Sequence, residues 1–174
     1  GSYEAIHVKQ HELPGFLDSL VRQGFVGGNV TVPHKEMVFE LVKKCDEIAR
    51  QIGAVNTIWV EEGELRASNT DSFGFSQNLD EQAPGWDDGT VAVVIGAGGA
   101  SRGVIHALMS RGFNDIRVAN RSIERAQELV NRFGSAVSAH RLSALDEITS
   151  GARLIINTSS LGMKGVGQVA IDMN

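Results

Sequence analysis

The sequence predicts an α/β protein, in which a small α/β domain precedes a second domain built on a doubly wound parallel sheet. The run TVAVVIG, residues 90–96, is a nearly continuous β-branched stretch, which is typical of a strand buried on both faces. A glycine turn follows, and strands then alternate with helices, as right-handed βαβ units around a parallel sheet require. We place the domain junction near the predicted helix SFGFSQNLDEQ, which a polar stretch with Pro and Gly follows, so the domains are 1–75 and 76–174.

The first half is predicted to contain two strands and two helices before a hairpin. Residues 3–8 and 25–32 have the composition of strands, and the helix between them ends at Gly24. A long helix then starts with Pro33 as its first residue and ends at Gly53. Its apolar stripe comprises Val38, Leu41, Val42, Cys45, Ile48, Ala49 and Ile52.

A hairpin, a helix and the elements of the second domain follow. The segments AVNTIWV and ELRASN flank Glu61-Glu62-Gly63 and predict the hairpin, and residues 72–82 are predicted to be helical. After the strand come a helix over 100–111 and then the strand DIRVAN, the helix IERAQELVNRF, the strand AVSAH, the helix LSALDEIT and the strand RLIIN. A complete doubly wound sheet has six strands, so we expect further chain beyond Asn174.

The composition argues against several classes of protein. Of the 174 residues, 42% are hydrophobic and 21% charged, as in an ordinary soluble globular protein, and no apolar run reaches the length of a membrane helix. A net charge of -5 argues against general binding to nucleic acid or to an anionic membrane. The single cysteine, Cys45, rules out an internal disulfide and suits the reducing cytoplasm. The five histidines have no metal-ligand spacing, so we expect no metal site.

The motif VVIGAGGASRG joins the buried strand to a helix and predicts a dinucleotide-binding turn. Gly96 and Gly98 match the first two glycines of the dinucleotide fingerprint. There they tighten the turn and let backbone N–H groups approach a pyrophosphate at the helix N-terminus. Ser101 stands at the third glycine position, so the strict pattern is not met. The alternative is a tight turn that binds nothing, but the strand–turn–helix context favours the nucleotide.

The end of the next strand predicts NADP rather than NAD. An NAD site usually has an acidic residue there, which binds the ribose 2′-hydroxyl. This sequence has VANRSIER instead, with Asn120, Arg121 and Arg125. Guanidinium groups bind a 2′-phosphate through paired hydrogen bonds, whereas a carboxylate would repel it. The alternative is that both arginines belong to an exposed charged face.

Lys35 and Asp71 are the candidate catalytic residues. Lys35 falls in the first turn of the predicted long helix, where the positive end of the helix dipole disfavours a cation and eases proton release. A carboxylate at Asp71 would have the opposite effect on the amine, so the protonation state of Lys35 stays open. Asp71 is alternatively a helix N-cap. Asn56 is either a turn residue or a substrate ligand, and the sequence favours the turn.

Together these motifs resemble those of the shikimate dehydrogenases. NVTVPHK, GAVNT, NTD, GAGGASRG, ANRS and INTSSLGM occur in the order of that family and at closely similar spacing, over nearly the whole chain from residue 3 onward. The resemblance implies an α/β substrate domain and a Rossmann-like NADP domain, with the active site in the cleft between them. It also implies NADPH-dependent reduction of 3-dehydroshikimate to shikimate in aromatic amino-acid biosynthesis, by an enzyme that is a monomer or a homodimer.

The resemblance assigns a role to each matching residue. It makes Lys35 and Asp71 the catalytic pair, and Thr31, Asn56 and Asp71 the substrate ligands. The glycine turn would bind the pyrophosphate, and the end of the next strand the adenosine phosphate. The implied cofactor-binding residues are Gly96, Ala97, Gly98, Gly99, Ala100, Asn120, Arg121, Ser122 and Arg125, together with Thr158 and Ser159 after the last strand.

The chain departs from the family's pattern at both ends and at one residue. A Ser-x-Ser-Pro segment on an N-terminal strand and a C-terminal region with a substrate-binding glutamine are not among the 174 residues, so we expect this chain alone to turn over substrate poorly. His34 stands where many members carry an aromatic residue. Two alternatives stay open. One is a quinate/shikimate dehydrogenase-like enzyme with another polyol acid, whose NAD-using versions Arg121 and Arg125 disfavour; the other is a non-catalytic nucleotide-binding fragment.

Overall fold

The computed structural model of the chain describes residues 1–159 and shows two compact units, Gly1–Thr70 and one that begins at Asp71. Each unit combines helices with its own four-stranded sheet, which confirms the predicted α/β class. The predicted domain ranges, 1–75 and 76–174, stay predictions. Residues 160–174, which include the end of the INTSSLGM motif, lie outside the described part.

Within residues 1–70, three helices accompany the four strands of the first sheet. In chain order the elements are α1 (Leu13–Leu20), β1 (Gly27–Asn29), α2 (Lys35–Leu41), β2 (Lys44–Cys45), α3 (Glu47–Ile52), β3 (Thr57–Glu61) and β4 (Glu64–Ser68). The sheet has the order β1-β3-β4-β2, with β2 parallel to β4 and the other pairs antiparallel. The predicted hairpin is confirmed, since β3 and β4 pair around a turn in which Glu62 and Gly63 have φ of 52° and 78°.

The core of the first unit forms where the three helices pack on the sheet. Leu13, Leu17 and Leu20 recur at helical spacing on α1, and all three are buried. They share one apolar cluster with Val38, Val42, Cys45, Ala49, Val55, Ile58 and Ala67. Val38 of the helix that begins at Lys35 and Val55 next to Asn56 both belong to this cluster, so its packing positions two segments that carry candidate site residues.

The predicted long helix is wrong, because the chain forms two short helices with a strand between them. Val42, with φ −88° and ψ 117°, ends α2, and β2 then joins the sheet beside β4. Asp46 caps α3, since its carboxylate accepts a hydrogen bond from the N–H of Ala49 at 2.8 Å. Leu41 and Ile48, which a continuous stripe would bury, are 40% and 44% exposed. Sheet pairing and a capping side chain therefore outweigh the local apolar period.

Two further predictions for the first unit need correction. Residues 3–8 form no strand, because no segment within residues 1–159 pairs with them as a hydrogen-bonded neighbour. Pro33 lies in the turn before α2, which begins at Lys35 with His34 as its N-cap. Lys35 nevertheless lies in the first helical turn, as predicted. Cys45 is buried as expected, although in β2 rather than in a helix, and burial raises the pKa of its thiol.

The second unit follows the predicted alternation of strands and helices. Its elements are α4 (Asp71–Gln82), β5 (Val91–Ile95), α5 (Gly99–Ser110), β6 (Asp115–Asn120), α6 (Ile123–Phe133), β7 (Val137–Arg141), α7 (Leu145–Ile148) and β8 (Leu154–Asn157). The main difference from the prediction is a short 3₁₀ turn over Leu142–Ala144 that replaces the start of the last helix. The four strands are parallel, in the order β7-β6-β5-β8.

Helices cover both faces of this sheet, as a doubly wound fold requires. On one face, α5 and α6 share an apolar cluster with Ile116 and Val118 of β6. On the other face, α7 packs with Val93, Ile95 and Ala119. The first strand, β5, lies between β6 and β8, so the direction of winding reverses there. In open α/β sheets, ligands bind outside the carboxyl ends of the strands at such a reversal.

The polar stretch between α4 and β5 contains a core residue that sequence reasoning missed. Trp86 is 5% exposed, and its ring packs between Phe75 and Phe113 at centroid distances of 5.8 and 6.1 Å. Its indole N–H donates to Asp80 at 2.9 Å, and the guanidinium of Arg111 lies 5.5 Å from the ring centroid. Trp86 therefore fastens this connection to the core of the second unit.

Candidate functional site

The glycine turn lies where β5 and β8 end side by side. Gly96 has a φ of +105°, and a Cβ built on it would lie 2.9 Å from Oγ1 of Thr158 and 3.0 Å from the backbone nitrogen of Ser159. Thr158 is itself fixed, since its N–H and its hydroxyl both donate to the carbonyl of Ile95 at 2.8 Å. The fold thus brings Gly96, Thr158 and Ser159 to one point at the carboxyl edge of the sheet.

Gly98 and the start of α5 fit the approach of an anionic group. Gly98 is the N-cap of α5 with φ −112°, and a Cβ built on it would meet no described atom within 4 Å. Neither the turn nor the packing of the described residues requires glycine there, so the open space suits a ligand that approaches the backbone. Ser101 donates its hydroxyl to the Gly98 carbonyl at 2.6 Å, and the N-cap of α5 is a glycine, which has no side chain to cap the first-turn N–H groups. Ala97, Gly99 and Ala100 complete the turn and the start of α5.

Asp71 lies against the same helix, at Gly103. A Cβ on Gly103 would lie only 2.8 Å from the Cβ of Asp71, so glycine at this position lets α4 and α5 approach closely. Asp71 is the first residue of α4 and is half-buried. Gly103 lies four residues, or about 6 Å of helix rise, beyond the first residue of α5. The predicted catalytic carboxylate and the predicted pyrophosphate turn therefore share one helix as their support.

A polar pair also holds the start of α4 on α5. The hydroxyl of Ser72, a buried residue, lies 2.8 Å from Nδ1 of His106. His106 follows Gly103 by three residues, so both face α4 from the same side of α5. Burial lowers the pKa of the His106 imidazole. Sequence reasoning missed Gly103 and His106, and the only signal for either was that the GAGGASRG motif ends at Gly103.

The end of β6 carries the residues predicted to bind the adenosine phosphate. Asn120 ends the strand, and its side-chain amide donates to the carbonyl of Ser122 at 2.9 Å, which fixes the turn into α6. Ser122 is the N-cap of α6, and its hydroxyl donates to the carboxylate of Glu124 at 2.7 Å. Arg121 directly precedes Ser122 and Arg125 directly follows Glu124, and both arginines are exposed. The turn therefore presents cationic groups at the same edge of the sheet as the glycine turn.

In the first unit, backbone hydrogen bonds bring the segment from Thr31 to Lys35 beside Asn56. The N–H of Val30 donates to the carbonyl of Asn56 at 2.7 Å, and the N–H of Val55 donates to the carbonyl of Lys35 at 2.9 Å. Thr31 is exposed and Lys35 is half-buried. The three site residues predicted for this unit are therefore neighbours, although they lie up to 25 positions apart in the chain.

Asn56 also fixes the residue before Asp71. Its side-chain carbonyl accepts from the N–H of Thr70 at 3.0 Å, and its amide donates to the Thr70 hydroxyl at 3.0 Å. Asn69, which is 2% exposed, donates to the carbonyl of Ala54 at 2.8 Å. Asn56 thus does more than form a turn, since it ties the NTD motif to the GAVNT motif. Its role as a substrate ligand and the pairing of Lys35 with Asp71 stay predictions.

Two kinds of feature were not found within residues 1–159. No group of three or more His, Cys, Asp or Glu side chains there is arranged to hold a metal ion. No helix in that range is both long and apolar enough to cross a membrane.

Comparison with known proteins agrees with this arrangement. Two family models match the chain, the shikimate dehydrogenase substrate binding domain over residues 1–58 and shikimate / quinate 5-dehydrogenase over residues 80–164. The curated shikimate dehydrogenase (NADP(+)) of Mesorhizobium japonicum is 54% identical over 172 residues, which are 99% of this chain and 61% of the relative. The chain spans about three fifths of the length of the curated relatives that it matches.

Solved structures are similar over almost the whole chain. The shikimate dehydrogenase of Aquifex aeolicus has a TM-score of 0.82 at 33% identity, over 93% of this chain and 59% of that one. The quinate dehydrogenase of Corynebacterium glutamicum, in complex with NAD, has a TM-score of 0.81 at 30% identity, over 97% and 61%. The shikimate 5-dehydrogenase of Thermus thermophilus, in complex with NADP(H) and shikimate, has a TM-score of 0.76 at 36% identity, over 94% and 59%.

The parallel sheet with its glycine turn places the second unit among the Rossmann-like α/β folds, here joined to a small α/β unit with a mixed sheet. Within this class of fold, the two matched family models and the curated relatives all point to shikimate dehydrogenases. The chain belongs to the shikimate dehydrogenase family.

Proposed function

We propose that the protein is an NADP-dependent shikimate dehydrogenase, which reversibly reduces 3-dehydroshikimate to shikimate in aromatic amino-acid biosynthesis. The observation that carries the proposal is the close approach of Asp71 to Gly103 on α5. One helix then supports both a carboxylate suited to a substrate hydroxyl and the turn suited to a pyrophosphate. Names of relatives support the same reaction, since those from Mesorhizobium and Brucella are called shikimate dehydrogenase (NADP(+)).

The residues of this chain bind the substrate and move its proton. NADPH, when bound, supplies the hydride that reduces the C3 carbonyl carbon. Lys35 donates a proton to the developing alkoxide oxygen and accepts it in the reverse reaction. Asp71 accepts a hydrogen bond from a substrate hydroxyl, while Thr31 and Asn56 bind the remaining polar groups of the substrate.

The described residues fit NADP as the cofactor. The open space at Gly98 and the first-turn N–H groups of α5 suit the pyrophosphate. Arg121 and Arg125, with the turn formed by Asn120 and Ser122, suit the 2′-phosphate. The Thermus thermophilus relative was solved with NADP(H) and shikimate, which supports the same pair of ligands here.

The proposal is tested by measuring reduction of NADP⁺ and of NAD⁺, with shikimate and with quinate as parallel substrates. The assay is run on this chain and on a chain extended at both ends to the length of its relatives. We expect the extended protein to reduce NADP⁺ fastest with shikimate, and this chain to be much slower. Faster turnover with quinate and NAD⁺ would contradict the proposal, and binding of NADP without any turnover would favour a non-catalytic nucleotide-binding role.

A quinate/shikimate dehydrogenase-like enzyme with another polyol acid is the second candidate. The Corynebacterium glutamicum quinate dehydrogenase, solved with NAD, is 30% identical to this chain, and the family model for residues 80–164 covers both activities by name. Arg121 and Arg125 disfavour the NAD-using members, because two guanidinium groups gain most from a 2′-phosphate. The side-by-side assay separates the two candidates directly.

We also propose that the protein acts in the cytoplasm as a monomer or homodimer on a small-molecule substrate, without binding nucleic acid or a membrane. The thiol of Cys45, which is buried and in no disulfide, suits a reducing compartment. The net charge of -5 gives no attraction to polyanions. Sedimentation of the purified protein would distinguish monomer from dimer.

A further inference from the structure

Arg141 ends β7 beside the predicted phosphate-binding turn. The parallel strands β6 and β7 pair Asn120 with Arg141 at their carboxyl ends. Side chains alternate along a strand, so Arg141 is on the same face of the sheet as Val137 and Ala139. Those two residues pack in the cluster that contains Ala126 of α6. Arg141 therefore lies on the face that α6 covers, at the edge where α6 begins.

The charge of Arg141 reaches the first turn of α6. The pKa of the Glu124 carboxyl is lowered by the hydrogen bond from the Ser122 hydroxyl, by the backbone N–H of Glu124 and by the positive charge of Arg141. Arg141 is exposed, so its guanidinium is open to a ligand at the edge of the sheet. The Ser122 hydroxyl, which the family resemblance assigns to phosphate binding, thus contacts the Glu124 carboxylate, whose charge in turn interacts with that of Arg141.

The Ser122 hydroxyl has a single proton to donate, and Glu124 accepts it in this structure. A phosphate that binds at Ser122 must therefore replace the Glu124 carboxylate. The two anions also repel each other, so a cation that is close to both is needed for the replacement. Arg141 is such a cation. It is held by β7, so it stays in place when the Glu124 side chain on α6 rotates away from Ser122.

We propose that Arg141 is a specificity-determining residue that binds the cofactor's 2′-phosphate together with Arg121 and Arg125, and that Glu124 releases Ser122 when the phosphate binds. The inference rests on the proposed function, because it takes NADP as the cofactor. A nucleotide without the 2′-phosphate leaves the hydrogen bond between Ser122 and Glu124 intact and gains nothing from Arg141. Arg141 therefore contributes to the choice of NADP over NAD and not to binding of the adenosine itself.

The test compares two probes by isothermal titration calorimetry, adenosine 2′,5′-bisphosphate and adenosine 5′-monophosphate. Arg141→Gln is expected to weaken binding of the bisphosphate about tenfold, the scale of one charge-assisted hydrogen bond, and to change binding of the monophosphate less than about twofold. Arg141→Lys keeps the charge and should retain part of the preference. Glu124→Gln should strengthen binding of the bisphosphate, since it removes the competing anion. Arg132→Gln, at the opposite end of α6, is the matched control and should change neither Kd.

The outcomes separate this inference from the proposed function. Equal weakening of both probes by Arg141→Gln, or no change in their ratio, overturns the role of Arg141. If the unaltered protein does not prefer the bisphosphate, NADP is the wrong cofactor and the proposed function fails at that point. If the unaltered protein prefers it, and Arg121→Ala but not Arg141→Gln removes the preference, only the inference fails.

Discussion

Lys35 occupies the first position of α2, where the helix dipole disfavours a cation. Its backbone carbonyl is fixed by the N–H of Val55, so the position of the residue depends on the fold and not on its own charge. A residue type that local electrostatics disfavours is expected mainly where function requires it. Lys35 is therefore the residue at which the proposed chemistry is tested most directly.

Lys35→Met should lower kcat by about 10²-fold or more, because it removes the group that transfers the proton while nearly keeping the side-chain volume. Binding of NADP, followed by fluorescence titration, should change much less. Lys43→Met, at an exposed position beyond the end of α2, is the control for loss of one positive charge and should keep normal turnover. Near-normal kcat in Lys35→Met would remove the residue from the mechanism.

The two glycines of the turn should respond differently to the same substitution. Gly96→Ala adds a Cβ that contacts Thr158 at a positive φ and should cost about 1–3 kcal/mol of stability. Gly98→Ala meets open space at a negative φ and should cost less than about 1 kcal/mol, yet weaken NADP binding. Gly112→Ala is the control for backbone strain alone, since Gly112 has a φ of +90° and a Cβ built on it meets no described atom within 4 Å. Urea unfolding measures the stabilities, and unchanged NADP affinity in Gly98→Ala would argue against the pyrophosphate site.

At the scale of elements, the packing of α4 on α5 links the predicted catalytic carboxylate of Asp71 to the predicted pyrophosphate-binding turn. Gly103 removes the side chain that would hold the helices apart, and Ser72 and His106 add a polar pair beside it. This contact between α4 and α5 positions Asp71. A small shift of α4 along α5 would therefore displace the carboxylate while leaving the glycine turn unchanged.

The His106 pair should make stability depend on pH. Burial holds the pKa of His106 below its unfolded value of about 6.5, so the native state binds fewer protons than the unfolded state. Protonation of the unfolded chain therefore reduces stability as the pH falls through about 6.5. His106→Gln lacks this contribution, so the difference in unfolding free energy between the unaltered protein and the variant should shrink from pH 7.5 to pH 5.5. Denaturant titrations at both values measure it, and a difference that grows at low pH would contradict the assignment.

At the scale of the whole molecule, each unit has its own sheet and its own apolar cluster. The described part of the second unit extends its core into the connection before β5 through Trp86. Arg111 adds ion pairs to Asp80 and Asp87 around that ring. The connection is thus an ordered part of the second unit, although its composition is that of a polar loop.

Trp86→Ala should destabilise the protein by about 3–5 kcal/mol, the usual range for loss of a large aromatic side chain from a core. Circular dichroism during urea unfolding measures the change. Trp59→Ala, which removes a half-buried indole from β3 of the first unit, is the comparison and should cost less. A loss of less than about 1 kcal/mol in Trp86→Ala would mean that the ring is not part of the core.

Sequence patterns predicted the second unit well and the first unit less well. In the second unit, each strand and helix is delimited by its own periodicity and by a nearby turn, so local signals suffice. In the first unit, β2 has only two residues and depends on pairing with β4. In the sequence, the apolar residues keep a helical period across β2 and give no sign of a break. In the structure, the helix is interrupted there, and the side chain of Asp46 caps the new helix α3.

The features of the candidate site likewise divide into those that the sequence predicts and those that depend on tertiary packing. The glycine turn, the basic end of β6 and the amine in the first turn of α2 are each readable from a few consecutive residues, because their chemistry depends on neighbours in the chain. The approach of Asp71 to Gly103, the bonds of Asn56 to Thr70 and the register of Arg141 with Asn120 join residues 14 to 32 positions apart. Such contacts exist only once helices and strands have packed, since burial and hydrogen bonding between distant segments decide which side chains meet.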